Sequence, residues 1–176
     1  SMDILISSNL ERLIYRIAGN NAAKNAELMA SLKSEGKYKI TDDMKAQLAD
    51  FYGNYATEAE DAATIKKIYE DCGYVIDTHT AVAAHVCGQY RAKSGDQTKC
   101  VIASTASPYK FVKSVMSAID AENANADEFD LLPKLQEVSG VPMPQAIKDI
   151  LDAKVLHNLE CDADKMKDTV KGILGV

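Results

Sequence analysis

The sequence predicts an α/β fold: a small, mostly parallel sheet flanked by helices, with an additional helical module beside it. Two short apolar runs, residues 74–76 and 100–103, have the length and β-branched content of buried strands. Each run is followed by residues that start helices, which are Asp77 after the first and Ser107-Pro108 after the second. A strand, a helix and a second strand in this order predict a right-handed βαβ unit.

The first residues predict the end of a strand followed by an amphipathic helix. Residues 3–6 are a short apolar run, and Ser8 with Glu11 matches a capping box. Gly19 is expected to end the helix. The apolar residues between these two points recur at helical spacing: Leu10, Leu13, Ile14 and Ile17.

Asn9 and Arg12 lie at the start of this first helix, where an anion could bind. Backbone N–H groups and the helix dipole favour negative charge there, and the Arg12 guanidinium could hold a phosphate or a carboxylate through two hydrogen bonds. Helix capping and a surface ion pair explain the same two residues equally well. The sequence alone leaves both interpretations open.

The next part of the chain is nearly all helical by its apolar spacing, so residues 20–72 are predicted to form the helical module. Thr57 and Glu60 match a second capping box. The acidic run 58–61 is interpreted as a solvated first turn that complements the helix dipole. This divides the chain into residues 1–19, 20–72 and 73–176.

Further helices and an edge strand are predicted after Gly73, which suits a helix end. Asp77-Thr78 should begin one helix and Asp162 the last one, with residues 154–160 forming the edge strand. Other helices are indicated by apolar residues at helical spacing on either side of Pro142 and Pro144: Leu131, Leu132, Leu135, Val138, Ile147, Ile150 and Leu151.

Polar side chains directly follow both predicted strands. His79 lies in the first turn of one helix, and Ser104 and Thr105 lie in the turn before another. The carboxyl ends of parallel strands meet at one edge of a sheet, where ligands bind, so these residues are expected to converge. The alternatives are that His79 only caps or packs, and that the two hydroxyl groups only satisfy the backbone of the turn.

The composition limits the classes of function. Twenty basic against 26 acidic residues give a net charge of −6, which argues against a nucleic-acid surface. No apolar run approaches the roughly 18 residues of a membrane span, so we expect a cytoplasmic protein. The four cysteines should be reduced and mostly buried. No metal site is expected, because His79 and His85 point to different helix faces and no cysteine pair accompanies them.

Three segments carry a resemblance to a known family. Residues 104–111, STASPYKF, resemble the TAxPxKF segment near the C-terminus of threonine synthase, a fold type II enzyme that uses pyridoxal 5′-phosphate (PLP). Residues 2–13, MDILISSNLERL, and 73–82, GYVIDTHTAV, agree as well, and all three lie in the family's order. The family often has His in place of Ser107 and Pro in place of Thr78.

The resemblance implies the C-terminal part of an amino-acid biosynthesis enzyme, a lyase that converts O-phosphohomoserine and water into threonine and phosphate. Thr105 matches the residue that contacts the PLP ring nitrogen, and Asn9, Arg12 and His79 are candidate substrate contacts. The resemblance places the Schiff-base lysine and the Gly/Asn-rich phosphate loop in the part of the protein before this chain. No catalytic residue, covalent PLP or activity is therefore expected in this fragment without its missing N-terminal part. Another fold type II lyase and a non-catalytic binding module are the alternatives.

Overall fold

The computed structural model describes residues 6–176, and the regular elements of this part are helices. The α-helices are α1 (Ser8–Ile17), α2 (Ala22–Glu35), α3 (Asp42–Ala46), α4 (Glu58–Cys72), α5 (Thr78–Ser94), α6 (Val112–Ile119), α7 (Glu128–Ser139), α8 (Gln145–Leu151) and α9 (Met166–Leu174). Short 3₁₀ turns occupy Pro108–Phe111, Ala121–Asn125 and Ala163–Lys165. Of the strand end expected at residues 3–6, only Ile6 lies within the described residues.

The predicted parallel sheet is wrong, because none of the described residues forms a strand. Residues 74–76 and 100–103 are irregular, and Val101 is 93% exposed. A strand persists only where a neighbour takes up its backbone hydrogen bonds, and residues 6–176 provide no such neighbour for either segment. The βαβ unit is therefore not formed. The edge strand expected at residues 154–160 is also an exposed irregular segment.

The helix ends agree well with the local sequence signals. Thr57 and Glu60 form the predicted capping box at the start of α4, and Gly73 ends that helix with a φ of 69°. Ser107 accepts a hydrogen bond from the Tyr109 backbone N–H (3.3 Å), and Pro108 takes the first position of the turn, as predicted. These features depend only on residues within one turn of each other, which is why the sequence predicts them.

The cap of α1 differs from the prediction. The Ser7 side chain, and not that of Ser8, accepts the hydrogen bond from the Leu10 backbone N–H (3.4 Å). The Glu11 carboxylate accepts instead from the Asn25 side-chain amide at 3.1 Å, across to α2. The capping box is therefore replaced by a contact between two helices, which the local sequence could not show.

The chain contains two compact units, the first extending through the described residues to Val141 and the second covering Pro142–Val176. In the first unit, α1 packs on α2, α4 packs on α5 and α6, and α6 packs on α7. A small core joins the N-terminal helices: Ile14, Ile17, Leu28 and Met44. The largest fully buried apolar side chains belong to α4, α6 and α7: Ile65, Val115, Leu131 and Leu135.

The cysteines are free thiols, as expected, but the prediction that most of them are buried is wrong. Cys72, Cys100 and Cys161 are exposed, and Cys87 is half-buried. Cys100 is exposed because the predicted strand that would have carried it into a core is not formed.

Candidate functional site

The start of α5 is organised by a completely buried carboxylate, that of Asp77, with 0% of its surface exposed. Its Oδ1 accepts hydrogen bonds from the backbone N–H groups of His79 (2.8 Å) and Thr80 (3.2 Å). Its Oδ2 accepts from the Thr80 hydroxyl. Two of the helix's otherwise unpaired N–H groups are satisfied in this way, so the first turn of α5 has a fixed geometry.

A second hydroxyl extends this arrangement to the turn before α6. Thr80 Oγ1 and Ser104 Oγ are 3.0 Å apart, which is a hydrogen-bond distance. The single proton of the Thr80 hydroxyl goes to the Asp77 carboxylate, so Ser104 must supply the proton between the two hydroxyl groups. The chain Ser104–Thr80–Asp77 thus fixes residue 104 against the start of α5.

His79, the second residue of α5, packs on the 3₁₀ turn that ends at Phe111. Its ring stacks on that of Phe111, with centroids 5.0 Å apart and planes inclined by 30°. Its Nδ1 lies 3.4 Å from the Thr78 hydroxyl. The ring is half-buried, so it packs within the protein while part of its surface stays accessible.

The turn at residues 104–107 carries three hydroxyl side chains, and two of them are hydrogen-bonded within the protein. Ser104 bonds to Thr80, and Ser107 accepts from the Tyr109 backbone N–H. Thr105 is exposed, and its hydroxyl forms no hydrogen bond with another residue of the described part of the chain. Thr105 is therefore the hydroxyl of this turn that is free to donate to a ligand.

Asn9 and Arg12 form a separate pair on the exposed side of α1. Arg12 Nη1 donates to Asn9 Oδ1 at 2.6 Å, one turn of the helix apart. This bond leaves the other guanidinium N–H groups and the Asn9 amide N–H groups available for an anion. The hydrogen bonds that join residues 77–80 to Ser104 do not include either of these residues.

Three residues at or near the candidate site were not predicted from the sequence to have a role there: Thr80, Phe111 and Asp61. Asp61 was expected on a solvated first turn, but it is only 8% exposed. Burial raises the pKa of its carboxyl, and the nearby Asp77 charge adds to the increase, while His79 and His85 oppose it. Its spacing of four residues from the buried Ile65 would have placed it on the inner face of α4.

No group of three or more His, Cys, Asp or Glu side chains could hold a metal ion among residues 6–176. Within the same residues, no helix combines the length and the apolar character that crossing a lipid bilayer requires.

Comparisons with known proteins all indicate one family. A family model described as "Threonine synthase, C-terminal" matches residues 80–170. Threonine synthase from Saccharomyces cerevisiae is 32% identical over 184 residues, which cover 95% of this chain and 36% of that protein. Threonine synthase-like 1 from Homo sapiens is 32% identical over 143 residues, covering 81% of this chain and 19% of that protein.

A solved structure is similar as well. The crystal structure of PLP-bound threonine synthase from Brucella melitensis superposes with a TM-score of 0.60 at 29% identity, over 87% of this chain and 29% of that one. This chain thus spans about a third or less of the length of these relatives. The family model covers more than half of the chain, including Thr80, Ser104, Thr105 and Phe111. The chain therefore belongs to the threonine synthase family and matches its C-terminal part.

Proposed function

We propose that this chain is the C-terminal part of a threonine synthase, a PLP-dependent lyase that converts O-phosphohomoserine and water into threonine and phosphate. The family match and the names of the relatives support this reaction. The chain aligns with only 36% of the yeast enzyme, which is consistent with further catalytic parts in another region of the polypeptide. Free cysteines suit a reducing compartment, so we also propose a cytoplasmic location.

The observation that carries the proposal is the Thr105 hydroxyl, which has no hydrogen-bond partner among the described residues although the hydroxyls of Ser104 and Ser107 do. The two neighbouring serines are bonded within the protein, so the turn needs nothing from Thr105. A threonine hydroxyl can donate to an uncharged pyridine nitrogen, which is the ring contact that the family resemblance implies for Thr105. The residues present therefore fit the ring end of the cofactor.

When bound, PLP supplies the electron sink for the reaction. Thr105 tunes that sink, because a neutral donor supports the ring nitrogen without holding a full proton on it, as a carboxylate would. Asp77, Thr80 and Ser104 keep the turn that carries Thr105 in place. Their contribution is to position Thr105.

We propose that His79, Asn9 and Arg12 contact the substrate. The part-exposed His79 ring lies on Phe111, six residues after Thr105 in the chain, and it could contact the amino-acid portion of the substrate. Arg12 and Asn9 together offer one cationic and one neutral set of N–H donors, which suits a phosphate group. These three assignments are less direct than that of Thr105, because each residue already has a partner within the chain.

The chain by itself is proposed to be inactive. Its lysines lack the sequence context of the family's Schiff-base segment, and Gly36, Gly53 and Gly73 are isolated and do not form a phosphate loop. The ring contact alone can orient PLP but cannot attach it. Activity should therefore require the remainder of the enzyme.

The test of the proposed function is Thr105→Val in the full-length enzyme, with Thr169→Val on α9 as the matched control. Valine keeps the size and the β-branching, so the backbone should hold. The lost hydrogen bond is worth about 0.5–1.5 kcal/mol, which corresponds to a decrease in kcat of roughly twofold to tenfold. The measurements are kcat with O-phosphohomoserine and the visible absorbance of bound PLP.

We expect Thr105→Val to retain PLP while both its absorbance and its kcat change, and Thr169→Val to match the wild type in both. If Thr105→Val also matches the wild type in both, Thr105 is only a turn residue and its role in the proposal is wrong. If the full-length wild type shows no activity with O-phosphohomoserine, the proposed reaction itself is wrong.

A further inference from the structure

A polar cleft of about 820 Å³ opens between α4, α5, α6 and residues 54–56. It is separate from the Thr105 turn, because neither Thr105 nor Ser104 is among the residues that line it. Its polar wall includes Thr57, Glu58 and Asp61 of the α4 region and Ser114 and Ser117 of α6. A volume of this size is typical of sites for small molecules.

Asp61 is the unusual feature of this cleft. More than nine-tenths of its surface is buried, and its Oδ1 has no hydrogen-bond partner among residues 6–176. Buried polar atoms nearly always form hydrogen bonds. A carboxylate oxygen without one, at the wall of a cleft, is therefore an acceptor that a ligand could use. Burial also raises the pKa of Asp61, and a positive charge in the cleft would act against this increase in the same direction as His79 and His85.

The charges of the lining determine the class of ligand. Glu58 and Asp61 are acidic, and the described residues that line the cleft include no lysine, arginine or histidine. An anion would be repelled, and a cation would be attracted. No group of three or more His, Cys, Asp or Glu side chains that could hold a metal ion forms among residues 6–176, so an organic cation suits this cleft better than a metal ion does.

Ser114 and Ser117 add groups that recognise a polar ligand. Neither hydroxyl forms a hydrogen bond with another residue between Ile6 and Val176. Both therefore remain available to a hydroxyl group of a bound molecule. A small organic cation that also carries a hydroxyl group would meet the carboxylate on α4 and the serines on α6 at the same time.

We propose that this cleft is a second ligand site, which binds a small organic ammonium ion with its N–H group donating to the Asp61 carboxylate. The site is independent of the proposed reaction and of PLP. It would select a cation, whereas the Asn9–Arg12 pair is proposed to bind an anion.

The test uses 2-(dimethylamino)ethanol and the full-length polypeptide that contains this chain. The tertiary ammonium of this probe donates one hydrogen bond and cannot condense with the PLP aldehyde. Its neutral isostere, 3-methylbutan-1-ol, has nearly the same shape and the same hydroxyl group. Ligand-detected NMR at constant ionic strength gives both dissociation constants for the wild type, for Asp61→Asn and for Glu70→Gln, an exposed position on the same helix.

We expect the ammonium probe to bind saturably to the wild type and to Glu70→Gln, at least tenfold more tightly than the alcohol. Asp61→Asn should bind the ammonium probe at least tenfold more weakly than the wild type. Equal binding of the two probes to the wild type would contradict the proposal without reference to any variant. Absence of saturable binding, or undiminished binding to Asp61→Asn, would also overturn it.

Discussion

Asp77 is the residue on which the geometry of the candidate site depends most. It has no exposed surface, and it holds two backbone N–H groups and one hydroxyl at the start of α5. Through Thr80 it also fixes Ser104 and therefore the turn that carries Thr105. Its loss should affect the stability of the fold and the position of Thr105 together.

We expect Asp77→Ala to lower the free energy of unfolding by about 1–3 kcal/mol, because buried N–H groups lose their acceptor. Asp120→Ala is the control, since Asp120 caps the exposed turn Ala121–Asn125 through the Glu122 N–H (3.0 Å). Asp120→Ala should lower the free energy of unfolding by no more than about 1 kcal/mol, because water can replace the lost carboxylate as the hydrogen-bond acceptor. Urea unfolding followed by circular dichroism measures both changes. Equal losses would show that burial does not strengthen the Asp77 cap.

Asp61 should make the protein less stable as the pH rises. Burial raises the pKa of its carboxyl in the folded state above the ordinary value of 3.8, so the folded state keeps its proton to higher pH than the unfolded state. The associated stability is complete below pH 3.8 and is lost as the pH rises through the folded-state pKa. We therefore expect Asp61→Asn to gain stability relative to the wild type between pH 3 and pH 7.

Urea unfolding at both pH values measures this gain, and Glu70→Gln on the exposed side of α4 serves as the control. The difference between Asp61→Asn and the wild type should be small at pH 3 and clearly larger at pH 7. A difference that is the same at both pH values would mean that the Asp61 carboxyl is not affected by its burial.

At the scale of single elements, features formed by neighbouring residues were predicted correctly from the sequence. Features that depend on contacts between distant segments were not. The Thr57 capping box and the helix end at Gly73 were predicted, since each is formed within one turn. The strands at residues 74–76 and 100–103 were not formed, because apolar β-branched residues make a strand only where another strand pairs with them. The burial of Asp61 was missed because the packing of α4 on α5 and α6 determines it.

The start of α4 offers a test of such a local signal. We expect Thr57→Ala to lower the free energy of unfolding by about 0.5–2 kcal/mol, because the Glu60 backbone N–H loses its acceptor, the Thr57 hydroxyl. It should also raise the pKa of Glu60, which is held below 4.5 by the Thr57 backbone N–H and then by the hydroxyl. Thr57→Ala removes only the hydrogen bond from the hydroxyl, because the backbone N–H of residue 57 is still present.

Thr57→Ser keeps the hydroxyl and is the matched control. Urea unfolding and an NMR titration of Glu60 measure the two effects. If Thr57→Ser loses as much stability as Thr57→Ala, the hydroxyl hydrogen bond is not what stabilises the start of α4.

At the scale of the whole molecule, the sequence predicted the family but not the architecture. The described parts of the three motifs lie at the caps and turns of helices, and these are local features that persist without a sheet. The parallel sheet required contacts between distant segments, and it is not formed within the described residues. The division into residues 1–19, 20–72 and 73–176 stays a prediction.

For the molecule as a whole, we propose that this chain contacts the PLP ring but does not attach the cofactor. The direct measurement incubates the 176-residue chain with one equivalent of PLP, reduces it with borohydride and locates modified lysines by peptide mass spectrometry. We expect only scattered modification, far below one equivalent at any lysine, because the attachment lysine and the phosphate loop are proposed to lie elsewhere in the enzyme. One lysine modified stoichiometrically would contradict the claim.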